Sequence, residues 1–225
     1  MGRQAGFTLI ELLIVIVIIV VVALIAIPNL LASRMLANET TAIATLRTII
    51  ACQSQFQRRA IADEDRDGWG EYGTFGEMSA ATGVRSSPTM LAPAVIPSSF
   101  RSVNAQGAVV RSGYLYRMYL PDPSGTGLPE TAGGGAPAGI GADLAETTWC
   151  CYAWPTSFQS SGVRTFFVNQ GGDVLATENP AYNGPLATLD AGSAFRAPGS
   201  SLTITGLAAT GQTGRDGSFW SNVPN

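Results

Sequence analysis

The sequence lacks two residue types that carry much of enzyme chemistry. It contains no His, and all 13 basic residues are Arg, so there is no Lys either. These absences remove the commonest general base, the commonest amine nucleophile and every His-based metal site. No Gly-Lys-Ser/Thr sequence follows the glycines at 133–135, which excludes a phosphate-binding loop of that type. An enzyme built on this chain could still work with carboxylates alone, but catalysis is less expected.

The chain also has few cysteines and a small net charge. The three cysteines, Cys52, Cys150 and Cys151, are an odd number and therefore a poor disulfide framework. The net charge of -3 comes with no clear basic patch, so no direct nucleic-acid binding is predicted. The length of 225 residues suits one ordinary domain with an appended segment.

The apolar residues concentrate in one run near the N-terminus. Residues 7–27 are almost wholly apolar, and as a helix they would measure about 31 Å, close to the hydrocarbon thickness of a bilayer. Arg3 and the short segment before the run favour an N-terminus left in the cytoplasm, with the rest of the chain carried outward. The run is too long for an ordinary secretory signal, and the small-residue boundary Ala5-Gly6 precedes it. A cut at that boundary would remove the leader and leave the helix attached.

One carboxylate, Glu11, interrupts the run five positions from its start. A carboxylate in lipid is costly and usually has a partner or a purpose, although one so near the helix start can also reach the headgroups. The segment Gly6-Phe7-Thr8-Leu9-Ile10-Glu11-Leu12, continued to Ile27-Pro28-Asn29, resembles the cleavage and N-methylation signature of type IV pilins and type II secretion pseudopilins. The resemblance is strong over about the first 50 residues.

The resemblance implies a path from membrane to filament. A prepilin peptidase would cut between Gly6 and Phe7, and the Phe7 amine would be methylated. The subunit would sit in the inner membrane as a single-pass protein, in contact with lipid and with an inner-membrane assembly platform. It would then join identical or related subunits in a helical polymer, as an extracellular pilus or a periplasmic pseudopilus. Glu11 of one subunit would meet the Phe7 ammonium of another, because pairing recovers part of the cost of each charge in an apolar core.

The helical pattern continues beyond the apolar run. Pro28 either ends the helix or bends it, and in the family that the chain resembles the helix continues with a bend. Over residues 29–61 one apolar stripe recurs at helical spacing, which predicts an amphipathic helix packed on a sheet. The stripe consists of Met35, Ala42, Leu46, Ile49, Phe56 and Ala60, and Cys52 borders it as a small packed residue.

An acidic segment follows the helix and has two interpretations. Asp63, Asp65 and Asp67, with Gly68 next and Glu71 beyond, match the first half of a calcium loop. The twelfth position is Thr74, however, where a bidentate Glu is expected. The segment is therefore either a weak calcium site with Asp63, Asp65, Asp67 and Glu71 as ligands, or a solvated acidic turn. No other cofactor is expected.

The rest of the chain reads as short strands and loops. Strands are predicted at residues 113–120, 147–154, 163–169 and 173–177, with a hairpin turn at 170–173 and a possible final strand at 202–207. Residues 124–141 read as a flexible Gly-rich surface loop, and residues 178–225 as irregular. Because neighbours on a strand face opposite ways, one of Cys150 and Cys151 should point to the helix and the other outward. The inward one could approach Cys52, as a disulfide or as a packed thiol.

These features predict an α+β fold, with a long N-terminal helix packed on an antiparallel sheet. We divide the chain into a leader (1–6), a membrane or filament-core helix (7–28), an amphipathic helix half (29–61) and a β head with long loops (62–225). The expected function is that of a structural subunit of a type IV pilus and not of an enzyme, with adhesion, motility or secretion supplied by the assembled system. A type II secretion pseudopilin or a minor pilin is the alternative. Two other classes are a tethered enzyme, which predicts a cleft with perturbed carboxylates, and a monomeric membrane-anchored binding module, which would leave Glu11 unpaired.

Overall fold

The computed structural model describes residues 6–224. The expected leader therefore lies outside the described residues, except for Gly6. Helix α1 spans Leu9–Arg58, 50 residues or about 75 Å. Two short helices follow, α2 (Phe75–Met78) and α3 (Ala142–Ala145). A 3-10 turn lies between them at Ser98–Phe100.

Within residues 6–224 ten strands build the head, all paired antiparallel. Their bounds are β1 (Gly83–Val84), β2 (Ser87–Met90), β3 (Ala108–Arg111), β4 (Tyr114–Pro121), β5 (Gly127–Pro129), β6 (Cys150–Pro155), β7 (Thr165–Asn169), β8 (Leu175–Thr177), β9 (Gln212–Thr213) and β10 (Phe219–Asn222). β1 and β2 form a separate hairpin. The main sheet has the order β3-β4-β6-β7-β8-β10-β9, and β5 also pairs with β4.

The inner face of this sheet packs on the second half of α1. Ala42, Leu46, Ile49 and Phe56 are completely buried and meet inward residues of β4, β6 and β7. The predicted stripe on α1 is therefore confirmed over these four positions. Ala60 falls outside the helix, because α1 ends at Arg58 and Ala60 has a left-handed φ of 46°.

The outer face of the sheet is buried as well, which the sequence did not reveal. Tyr152 and Trp154 on β6 belong to a second core, closed by residues between 182 and 220 such as Phe195 and Trp220. All six residues of β6 are buried, as expected of a strand covered on both faces. The C-terminal region is irregular in its backbone, yet it forms a third layer of the fold.

Several predicted strands are confirmed, whereas one predicted strand and one predicted loop are wrong. The hairpin of β7 and β8 lies where it was predicted, and Gly172 donates its N–H to the Asn169 carbonyl in the turn. The possible strand at 202–207 is absent, and only Thr203 makes an isolated bridge, to Thr126. The final strands are β9 and β10 instead. The Gly-rich segment 124–141 is not simply a surface loop, because it contains β5.

Glycine in β5 has a packing reason that composition cannot reveal. A Cβ on Gly127 would lie 2.5 Å from the Ala191 Cβ and 2.6 Å from the Ile204 Cγ2. The C-terminal layer approaches the strand so closely that a side chain at this position would displace it.

Candidate functional site

The start of α1 is capped by Thr8 and Glu11, two residues of the segment that predicts cleavage and methylation. Thr8 is the N-cap, and its N–H and hydroxyl donate to the Glu11 carboxylate at 2.8 and 2.7 Å. The Glu11 N–H donates back to the Thr8 hydroxyl at 3.3 Å, which completes a reciprocal capping box. In a single chain the Glu11 carboxylate is therefore held at the end of its own helix, close to Phe7 in the chain. Gly6 and Phe7 are both exposed, and nothing packs against Gly6.

The first half of α1 projects from the head without cover. Its large apolar side chains from Leu9 to Leu31 are exposed to about half or more of their surface. Within the described residues, α1 is the one helix long and apolar enough to cross a membrane. The helix continues through Pro28, which lies inside it, and Asn29 and Ser33 donate their side chains to carbonyls one turn earlier. An apolar surface of this size on a helix requires lipid or protein around it.

Three of the four predicted calcium ligands lie together. Carboxylate oxygens of Asp63, Asp65 and Asp67 are within 4.8 Å of one another. A second group joins Asp65 to Asp143 and Glu146, from the region of α3. The sequence around residue 65 could not predict Asp143 and Glu146 as neighbours, because they come about 80 residues later. Calcium binding here stays a prediction.

The carboxylates of this region influence one another. The pKa of Glu146 is raised, first by desolvation and then by the charges of Asp67, Asp65 and Asp143. Desolvation is also the largest cause that raises the pKa of Asp65, and the charge of Asp67 acts in the same direction. The described residues give these carboxylates, with Asp63, no ion pair with an arginine. The region therefore carries a concentrated negative charge.

The fourth predicted ligand, Glu71, lies elsewhere. Its carboxylate is fully buried, receives the Glu64 N–H, and pairs with Arg85 at 2.8 Å. Arg85 also binds the buried Glu77 at 2.9 Å. Glu71 therefore tethers the acidic segment to the β1–β2 hairpin, because an arginine 14 residues further on competes for the carboxylate.

The three cysteines are free thiols and all are buried. Cys151 faces α1 and shares the inner core with Cys52, whereas Cys150 faces the outer core. The predicted alternation is confirmed, and the described structure contains no bond between Cys52 and either residue. The Cys52 thiol donates to the Val95 carbonyl at 3.2 Å.

One buried ion pair was not predicted from the sequence. Glu39 is 7% exposed on the buried side of α1, where it binds Arg164 at 2.7 Å. The signal was present, because Glu39 lies four residues after Met35 and three before Ala42, on the apolar stripe itself. A charge at such a position indicates a buried partner.

A projecting apolar helix, capped by Thr8 and Glu11, is thus attached to a β head. Residues 1–27 match the family model of the prokaryotic N-terminal methylation motif. The chain is 51% identical over 57 residues to the type IV wide pilus major component PilA4 of Thermus thermophilus. This match covers 25% of the chain and 44% of that protein, so the chain spans less than half the length of the curated relative. No solved structure matches the chain significantly.

The chain thus carries the N-terminal methylation motif and is similar, over 57 residues, to a component of a type IV pilus.

Proposed function

We propose that the chain is a structural subunit of a type IV pilus that polymerises through α1. The observation that carries this proposal is the uncovered first half of α1, whose apolar side chains from Leu9 to Leu31 are exposed and lie outside both cores of the head. Lipid of the inner membrane would cover this surface before assembly, and the helices of other copies would cover it afterwards. The relative's role as the major component of a pilus supports a pilus over a pseudopilus.

Processing would precede assembly. A prepilin peptidase acting between Gly6 and Phe7 would find both residues exposed and outside the helix. The cut would place a new amine at Phe7, the residue directly before the N-cap Thr8. Methylation of that amine keeps its positive charge, so the ammonium can serve as a partner for a carboxylate in the apolar filament core.

Glu11 is the residue through which the copies would be set in register. In the single chain its carboxylate is satisfied by Thr8. In a filament the Phe7 ammonium of another copy would approach the same carboxylate. A charge pair in an apolar environment gives little net stability but penalises every arrangement that leaves one charge alone. Glu11 would therefore select one stagger between neighbouring helices.

The test is the mass of the N-terminal peptide of the protein purified from its native host, combined with imaging of filaments. A peptide that begins at methylated Phe7, together with filaments that contain the chain, is the expected result. An intact Met1 start, or a cut after Ile27, would overturn the proposal. Processed protein that never enters filaments would favour a membrane-anchored module. Filaments confined to the periplasm would indicate the pseudopilin alternative.

A further inference from the structure

The exposed part of α1 carries very little charge. Between Phe7 and Leu36 the only charged residues are Glu11 and Arg34. Arg34 is exposed, just before the point where α1 enters the head. The four ion pairs among the described residues do not include it. A single chain therefore presents an isolated guanidinium on an otherwise apolar and small-residue helix surface.

Assembly would change the surroundings of this guanidinium. If copies pack through α1, as proposed above, the surface around Leu30, Leu31 and Leu36 becomes covered, and Arg34 becomes covered with it. An arginine is always charged, and burying it without a carboxylate is strongly unfavourable. Glu11 lies 23 positions away, or about 35 Å along the helix, so it cannot reach Arg34 within one copy. The nearer carboxylate, Glu39, is already paired with Arg164, and a carboxylate of a second copy can supply the partner.

The head offers a matching surface at its opposite end. Asp63, Asp65 and Asp67 follow the end of α1, and Asp143 and Glu146 lie beside them. The described structure gives this group no arginine partner. Other exposed carboxylates of the head, such as Glu178, do not belong to a comparable group. The densest negative charge and the isolated positive charge thus lie at two ends of the same stretch of helix.

Their spacing suits a head-to-tail contact. Arg34 and the end of α1 at Arg58 are 24 residues apart, which is about 36 Å along the helix axis. A contact between two different patches does not close on itself, and its repetition generates an open helical filament. A copy displaced by roughly the length of its own head would bring its acidic segment level with Arg34 of the copy above it.

We propose that Arg34 of one copy binds the acidic segment of a second copy, through Asp65 and Asp67, and that this contact fixes the axial stacking of heads in the filament. The inference rests on the proposed function and adds the partner surface to it. Both aspartates are exposed and outside every helix and strand, so they can be exchanged without disturbing either core.

The experiment measures filament yield from full-length variants in the native host, with a calcium chelator in the buffers so that no cation masks the carboxylates. R34E is expected to lower the yield of pelleted filaments by about tenfold or more, since it places a carboxylate opposite carboxylates. The double variant D65R/D67R should lower it similarly. Combining all three exchanges should restore most of the yield. E178R, at the end of the head near Arg164, is the matched control and should leave the yield unchanged.

A contact measurement accompanies the yields. R34C combined with D65C should give cross-linked oligomers with a bismaleimide in filaments, whereas R34C with E178C should not. The native cysteines are all buried, which keeps the background low. Normal filaments from R34E, or a triple variant no better than R34E alone, would overturn the proposal. Failure of the unmodified chain to form filaments would instead overturn the proposed function, so the two failures are distinguishable.

Discussion

Glu39 and Arg164 lock the β6–β7 connection onto α1 at the level where the helix leaves the head. The Glu39 Oε2 accepts the Arg164 Nε–H at 2.7 Å, and its Oε1 accepts the backbone N–H groups of Val163 and Arg164 at 2.9 and 3.2 Å. Beside it, the Asn38 amide donates to the Ser161 carbonyl at 2.8 Å. The projecting half of α1 therefore leaves the head in a direction set by a polar contact, which the packing of Ala42 and Leu46 alone would not fix.

Replacing Glu39 with Ala is expected to lower the free energy of unfolding by about 2 kcal/mol. The change leaves two backbone N–H groups and a guanidinium without their acceptor, and the partial exposure of Arg164 to water limits the loss. Chemical denaturation of the full chain in detergent would measure it. Thr40→Ala, on the exposed side of the same turn, is the control and should change stability by less than about 0.5 kcal/mol. Equal effects of the two exchanges would contradict the role given to Glu39.

Glu130 should make the stability of the head depend on pH. Burial raises its pKa to about 7, although the backbone N–H groups of Gly135, Gly76 and Phe75 act in the opposite direction. Because the folded pKa lies above the unfolded one, the protonated group favours the folded state. Its contribution is complete below about pH 4.5 and is lost as the pH rises through 7.

The comparison is between the unmodified chain and Glu130→Gln, by denaturation at several pH values from about 4.5 to about 8. As the pH rises across this window, the free energy of unfolding of the unmodified chain should fall by up to about 3 kcal/mol more than that of the variant. The amide of the variant has a cost of its own, since its NH₂ group faces a backbone N–H, but that cost does not change with pH. Parallel curves for the two proteins would show that the three N–H groups keep Glu130 ionised throughout.

Features whose structural cause lies in a local pattern are predictable from the sequence. The length of the apolar run, the signature around Glu11 and the stripe at Ala42, Leu46, Ile49 and Phe56 each follow from neighbours within one helix. β4, β6, β7 and β8 were found because apolar and aromatic residues cluster in short runs between turn residues. These elements need no information from distant parts of the chain.

The outer layer could not be found in this way. Residues 182–220 have few strands, and their contribution comes from single side chains such as Phe195 and Trp220 that meet β6 and β7 across the sheet. Position 127 requires glycine although it lies in a strand, because Ala191 and Ile204 occupy the space that a side chain would need. The acidic segment predicts Glu71 as a calcium ligand, because its spacing contains no sign of Arg85, the ion-pair partner that follows 14 residues later.

We expect calcium to bind weakly to the acidic segment, because the carboxylates of three aspartates converge there. Calorimetry with calcium against the full chain is the measurement, and Asp65→Asn is expected to reduce the affinity most, because Asp65 belongs to both carboxylate groups. Asp173→Asn, in the β7–β8 turn, is the control and should have no effect. Glu71→Gln should leave the affinity nearly unchanged but destabilise the head, since it leaves Arg85 with fewer partners. No heat of binding at millimolar calcium would leave the solvated acidic turn as the better description.

The two roles of Glu11 can be separated by exchanging one partner of the capping box at a time. Glu11→Gln keeps an acceptor for Thr8 but removes the charge, so the cap should persist while the pairing with a Phe7 ammonium is lost. Thr8→Ala removes the hydroxyl that binds Glu11 but keeps the carboxylate, so the charge pair should persist while the cap is weakened by about 1 kcal/mol. If charge sets the register, Glu11→Gln should be processed normally and form few filaments, whereas Thr8→Ala should form them well.

The measurements are the N-terminal peptide mass, for processing, and the pelleted fraction of the chain, for assembly. Glu11→Leu removes both the acceptor for the Thr8 cap and the charge for the Phe7 ammonium, so it is the reference variant for loss of both roles. If Thr8→Ala assembles as poorly as Glu11→Gln, the capped helix start matters more than the charge, and Glu11 acts within its own subunit. If Glu11→Gln assembles normally, no ammonium needs its charge, and the stagger between copies must be fixed by apolar packing along α1 and by contacts between heads.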